Sequence, residues 1–159
     1  MIERPASAKP PAGAKARAGT VLQGGRAKAF RPLSPEVRRR AYDHALEAYA
    51  RGDFFETHEL LEPAWMGTDD PAERALHQGL IKLAAAFVHG VRGNPLGIAR
   101  NLVGARERLA DAVGSEAAAA SGLDLAALVA AIDDRLGRLK ADPSDASIEA
   151  PELPWSRVR

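Results

Sequence analysis

A histidine and two glutamates that could do chemistry lie close together in the sequence DFFETHELLEPAW, residues 53–65. They are His58, Glu59 and Glu62, and Trp65 follows them on the same stretch. An imidazole beside carboxylates offers the donor atoms that divalent transition metals accept, and it can also hold a polar ligand or move a proton. This stretch is therefore the first candidate for a functional site.

Three further polar side chains follow in the sequence LHQGLIKLAAAFVHGVRGN, residues 76–94. At about 100° per residue, Gln78, Lys82 and His89 share one face of a helix that is otherwise mostly apolar. If this face meets the preceding helix, it forms a pocket with the first cluster. If it meets water, the three residues form a solvated stripe. The sequence is compatible with both arrangements.

The same helical spacing predicts that His58 is buried. A helical wheel places it in one narrow stripe with Phe54, Leu61 and Trp65, and it places Glu62 at the edge of that stripe. A buried histidine must satisfy both ring nitrogens, and a carboxylate one helical turn further on can bond one of them. We therefore expect a buried pair between His58 and Glu62.

Together these residues resemble the domain-of-unknown-function family numbered 309. Its members are small all-helical proteins with the pattern F-x-x-H-E-x-x-E-x-x-W, followed by Q-G-L-I-x-x-A-A-A and a G-N pair, and the chain carries all three. The resemblance covers about residues 33–109 and implies an all-helical fold, but it brings no reaction with it. The chain departs from the family's usual pattern at Pro63 and at Lys82, the latter in place of an uncharged residue.

Three hypotheses for the polar cluster stay open. In the first, His58, Glu62 and His89 bind a divalent metal such as zinc, iron or manganese and leave one position for water. In the second, the cluster is a ligand pocket or a metal-free acid/base site, with Glu59 or else Glu62 as the catalytic base, His58 as the proton carrier and Lys82 holding an anion. In the third, the buried pair only specifies helix packing. The candidate ligand-binding residues are His58, Glu59, Glu62, Trp65, Gln78, Lys82 and His89.

The elements that position these residues are predicted to be helices. Capping residues, with prolines at first helical positions, predict five helices that begin near residues 34, 53, 72, 96 and 124. Pro63 predicts a kink or an early end of the second helix, because it cannot donate a hydrogen bond to the carbonyl of Glu59. Residues 114–122 could be a loop or a short helical turn. No strand pattern is evident, so we expect an all-α fold, a single compact bundle of about five helices over residues 33–140 with flexible termini.

The two ends of the chain differ in composition from this bundle. Residues 1–32 hold most of the excess positive charge and few bulky apolar side chains, which predicts a disordered basic arm. Such an arm could contact nucleic acid weakly or simply keep the chain soluble. Residues 141–159 are rich in Pro, Ser, Asp and Glu and predict an extended tail, whose residues 153–155 could dock back onto the bundle.

Composition narrows the remaining possibilities. The chain has no cysteine, which excludes disulfides, thiolate metal sites and cysteine nucleophiles. No apolar run is long enough for a membrane span and no signal peptide is evident, so we expect a cytoplasmic protein without a membrane partner. Whether it is an enzyme or a binding module, and its oligomeric state, stay open at this point.

Overall fold

A computed structural model describes residues 18–23 and 26–156 of the chain. In chain order the elements are β1 Gly19–Gln23, β2 Arg26–Phe30, α1 Pro35–Ala50, α2 Phe54–Met66, α3 Pro71–Val91, α4 Pro95–Ala112, α5 Glu116–Ser121 and α6 Leu125–Ala141. The predicted helical bundle is confirmed. The short helix α5 forms within the segment that the sequence left as either a loop or a helical turn.

Side-chain caps fix where the helices begin. The side chain of Asp53 accepts a hydrogen bond from the backbone N–H of Glu56, and Asp70 does the same for Glu73. Equivalent caps start the other helices, at Ser34, Asn94, Ser115 and Asp124. Each cap satisfies a backbone donor that lacks a partner inside its helix. Local sequence thus determines the starting points of α2 and α3, which carry the candidate residues.

Helix α2 does not end early at Pro63. It continues through the proline to Met66. Pro63 and Glu59 both lie on the exposed side of the helix, so water can reach the Glu59 carbonyl that loses its usual donor. The early end that the proline alone predicts therefore does not occur, and the whole motif lies on one continuous helix.

Helix α3 is central to the bundle and packs against both α2 and α4. Its close approach to α4 depends on Gly79, because a Cβ atom at this position would lie 2.6 Å from Cγ of Leu109. The surrounding core is apolar. Its larger members are Tyr42, Leu46, Leu61, Leu80, Leu83, Phe87, Ile98, Leu102, Leu109, Leu128 and Ile132.

A strand pair precedes the bundle, which the sequence did not predict. β1 and β2 are antiparallel, with Val21 opposite Lys28. The pair is tied to the bundle, since the Arg74 guanidinium donates to the carbonyl of Ala29 and the backbone N–H of Arg31 donates to the carbonyl of Met66. β1 and β2 lie within the segment that the sequence predicts to be a basic arm. Residues 1–17 and 24–25 of the expected arm lie outside the described part of the chain.

The segment after α6 is extended and contacts the bundle. The backbone N–H of Asp124 donates to the carbonyl of Pro154 at 2.7 Å, and Tyr49 Oη donates to the carbonyl of Pro151 at 2.7 Å. The ring of Trp155 lies 3.5 Å from the position a Cβ would take on Gly122, whose φ of +77° favours glycine. The expected docking of residues 153–155 is therefore present. Residues 157–159 lie outside the described range.

Candidate functional site

The first polar cluster comes together on the surface of α2. His58 Nδ1 lies 3.2 Å from Oε1 of Glu59, and one ligand atom from each of His58, Glu59 and Glu62 lies within 4.8 Å of the others. Within residues 18–23 and 26–156, no other set of three or more histidine, aspartate or glutamate side chains approaches this closely. The cluster is accessible, because the side chains of His58 and Glu59 are 35% and 55% exposed. It can therefore exchange ligands with solvent.

This arrangement corrects the prediction of a buried pair between His58 and Glu62. Helix α2 buries Thr57, Leu61 and Ala64 instead, so its inward face is turned by one residue from the predicted stripe. The nearest partner of His58 is consequently its neighbour Glu59 on the outer side of the helix. The helical wheel had the correct period but the wrong direction for the buried face. The predicted direction was set by the bulky Phe54 and Trp65, whereas the buried face is centred on Leu61.

Trp65 has a role in packing. Its ring lies beneath the guanidinium of Arg74, whose Cζ atom is 5.1 Å from the ring centroid. A guanidinium above an indole face is attracted by the negative charge density of the ring. Trp65 is thus engaged with α3, and the structure does not place it in the His58 cluster.

The second polar face meets α4, which neither of the two predicted arrangements included. Lys82 lies across Gly104, where a Cβ atom would be 2.7 Å from the lysine Cδ. His89 lies across Gly97 in the same manner, and its Nδ1 is 3.2 Å from Nδ2 of Asn94. His89 and Lys82 are therefore positioned by α4 and lie outside the His58 group. Gln78 on the same helix is partly buried.

Arg74 is a buried charge that no sequence pattern indicated. It is 1% exposed, and its guanidinium donates to the carbonyls of Trp65, Thr68 and Ala29. Burial lowers the pKa of Arg74, and the negative charge of Asp69 acts in the opposite direction. The side chain thereby joins the end of α2, the loop that follows it and strand β2. Its contacts are those of a structural cation.

A second buried polar side chain on α3 is His77. It is 3% exposed, and its imidazole donates a hydrogen bond to the backbone of Ala64, while Nδ1 has no partner among the described residues. Burial, with a smaller contribution from the positive charge of Arg38, lowers the pKa of His77 to about 4, against the opposing effect of Glu73. His77 is therefore neutral at physiological pH.

A cavity of about 310 Å³ borders His77 between α1, α3 and α5. Its polar groups largely bond one another: Arg38 Nε donates to Oε1 of Glu73 at 2.7 Å, and Tyr42 Oη donates to the carbonyl of Ser121 at 2.7 Å. The burial of His77 could have been predicted from the sequence. Helix α3 is apolar around most of its circumference, so a histidine on it has little access to solvent. These pairings leave few polar groups in the cavity without a partner, although exposed residues such as Arg39 and Glu116 open it to solvent.

The helical pattern is matched by a family model described as a domain of unknown function, DUF309, over residues 42–101. Residues 42–101 are therefore similar to this family. The predicted resemblance is thereby confirmed. No curated protein and no solved structure matches the chain significantly. Among the helices that the structure describes, none is sufficiently long and apolar to cross a membrane.

The region matched by the DUF309 model contains both groups of polar residues. It spans most of α1, all of α2 and α3, and the first part of α4, and so includes the exposed His58 cluster and the buried Arg74 and His77. Compared with the buried Arg74 and His77, the His58 cluster has donor atoms that an incoming ion can reach. It is the candidate metal site of the matched region.

Proposed function

We propose that the matched region of this chain binds a divalent metal ion through His58, Glu59 and Glu62 on α2. The observation that supports this proposal is the approach of the three ligand atoms to within 4.8 Å of one another on an accessible face. Relative to the ligand set expected from the sequence, Glu59 takes the place of His89.

The distances fit one ion held by these side chains. Zinc binds imidazole nitrogen and carboxylate oxygen at about 2.0–2.2 Å in tetrahedral geometry, which separates two ligand atoms by roughly 3.3 Å. His58 Nδ1 and Glu59 Oε1 are 3.2 Å apart. Glu62 must move its carboxylate inward by a rotamer change, which its partly exposed position allows. The cluster is thus close to a ligating arrangement.

The donor set favours a transition metal over magnesium or calcium. Imidazole suits zinc and iron, whereas magnesium and calcium take oxygen ligands almost exclusively. Three protein ligands leave a fourth position for water, which is the arrangement of catalytic rather than structural zinc sites. If Glu59 ligates the ion, it is no longer free to act as a base. Any proton transfer at this site would then depend on the bound water.

The proposal is tested by calorimetric titration of zinc into untagged protein that was purified without chelator. We expect one ion per chain in the wild type. In His58→Ala, binding should be at least about tenfold weaker, because the two remaining carboxylates hold zinc poorly. His44→Ala is the matched control, since His44 is an exposed histidine on α1. Equal affinity in wild type and His58→Ala, or no saturable binding, would contradict the proposal.

A second variant tests whether Glu62 is a ligand of the ion. Glu62→Gln removes a negative charge and leaves the size of the side chain unchanged, so we expect weaker zinc binding with an intact fold. Metal competes with protons for imidazole and carboxylate ligands, and the affinity should therefore decrease as the pH falls. Binding that is insensitive to both changes would place the ion elsewhere.

A further inference from the structure

Two cationic side chains converge on Gly104 of α4. The Lys82 side chain from α3 lies flat over this glycine, so that a Cβ atom there would be 2.7 Å from Cδ and 3.5 Å from Nζ. Arg108 Nη1 donates to the carbonyl of the same glycine at 3.3 Å. Gly104 therefore forms a depression that holds the ammonium and the guanidinium close to one turn of α4.

The cluster has more positive than negative charge. Lys82 makes no hydrogen bond or ion pair with any residue in the described part of the chain, and Nε of Arg108 is buried without a described partner. The nearest carboxylate, that of Glu107, is 3.9 Å from Arg108 Nη1 and too far for a hydrogen bond. Two cations thus lie beside one carboxylate.

The ammonium of Lys82 is destabilised by its surroundings. The pKa of Lys82 is lowered first by burial, then by the positive charges of Arg108 and Lys28, and the negative charge of Glu107 opposes this effect. Bringing like charges together without counter-charge costs free energy, and buried donors without acceptors cost more. A bound anion would offset the like-charge repulsion by accepting hydrogen bonds from the Lys82 ammonium and the accessible part of the Arg108 guanidinium.

We propose that Lys82 and Arg108 form a binding site for a phosphate group, either inorganic phosphate or a phosphate monoester. The pair stays net positive once Glu107 is counted, and a phosphate monoester carries about −1.5 to −2 at neutral pH. The planar guanidinium and the mobile ammonium are the two side-chain groups that bind phosphate oxygens most strongly. The site lies on α3 and α4, apart from the ligands that the metal proposal uses on α2.

The site is tested by titrating inorganic phosphate into the full chain at constant ionic strength and with a chelator present, using calorimetry. The chelator removes any metal at His58, so this proposal can fail or succeed independently of the metal proposal. We expect saturable binding to the wild type. Lys82→Gln and Arg108→Gln should each weaken it about tenfold to a hundredfold, as expected for the loss of a charge-assisted hydrogen bond.

Two controls separate the local geometry from overall charge. Lys140→Gln removes an exposed lysine near the end of α6 and should leave the affinity for phosphate unchanged. Gly104→Ala retains every charge but pushes Lys82 off its position, so it should weaken binding by about tenfold or more. If Gly104→Ala does not fold, the two glutamine variants carry the test alone.

The two sources of phosphate are distinguished by comparing inorganic phosphate with glycerol 3-phosphate. Tighter binding of the ester would show that the site recognises an organic phosphate, and tighter binding of the free ion would show that it takes inorganic phosphate. Either result supports the site if Lys82→Gln abolishes the preference. No saturable binding of either compound, or equal binding to wild type, Lys82→Gln and Arg108→Gln, would overturn the proposal.

Discussion

His58 and His77 lie on adjacent helices of the same domain, yet their surroundings are opposite. The His58 side chain is 35% exposed and faces two carboxylates, whereas His77 is 3% exposed and faces Arg38, Tyr42 and a backbone carbonyl. Inside the bundle, polar side chains bond the backbone: His77 is held in its neutral form, and Arg74 is fixed by three carbonyls. On the outer face of α2 they keep unused donor atoms. Binding chemistry is therefore available at the surface, and the buried polar groups support the fold.

The largest change in stability is expected when Arg74 is replaced. Arg74→Ala should lower the free energy of unfolding by about 3 kcal/mol or more, because it leaves a cavity and removes the donors of three backbone carbonyls in a buried region. Urea denaturation followed by circular dichroism measures the change.

The matched control for this test is Arg40→Ala on the exposed side of α1, which should cost less than about 0.5 kcal/mol. Similar losses in both variants would show that Arg74 does not have the structural role that its contacts indicate.

His77 makes stability dependent on pH. Its pKa is about 4 in the folded protein and about 6.5 in the unfolded chain, so the unfolded chain binds more protons between these values. The stabilising contribution of neutral His77 is complete above about pH 6.5 and is lost as the pH falls towards 4. We expect the loss to approach about 3 kcal/mol.

The His77 contribution is isolated by comparison with His77→Phe, which cannot titrate. Ala64 keeps a donor in this variant, because the backbone N–H of Gly67 also bonds its carbonyl. The free energy of unfolding should fall less steeply from pH 6.5 to pH 4 in His77→Phe than in the wild type or in His44→Gln. Identical slopes in all three proteins would mean that His77 is not held neutral in the fold.

Tyr49 tests a buried hydrogen bond at the docked C-terminal segment. Tyr49→Phe removes the donor to the carbonyl of Pro151 and should cost about 1–2 kcal/mol. Hydrogen exchange of Ser156, whose backbone N–H donates to the carbonyl of Gly122, should become faster as the segment loosens. Unchanged exchange would show that the other contacts of the segment hold it without this bond.

Local signals in the sequence predicted most of the helical architecture. The caps at Ser34, Asp53, Asp70 and Asn94 act within a few residues of each other, so their chemistry is visible in the sequence alone. The family pattern also identified the part of the chain that carries the polar cluster.

The features that the sequence did not predict depend on distant neighbours. The phase of α2 follows from packing at Leu61 and Ala64, and the strand pair is held by Arg74, which is 45 residues away from its acceptor on Ala29. The polar face of α3 meets α4 because Gly97 and Gly104 leave room for His89 and Lys82. Helical periodicity gives the spacing of a face but not the element it meets.

The smallest effect on stability is expected at His58, in contrast to the buried histidine. In the absence of metal, His58→Ala should change the free energy of unfolding by less than about 0.5 kcal/mol, because the side chain is accessible and its partner Glu59 remains hydrated. With zinc in excess, the wild type should be stabilised according to its affinity and the variant should not, because only the folded cluster holds the ion. A loss of about 2 kcal/mol or more without metal would instead make His58 part of the structural network.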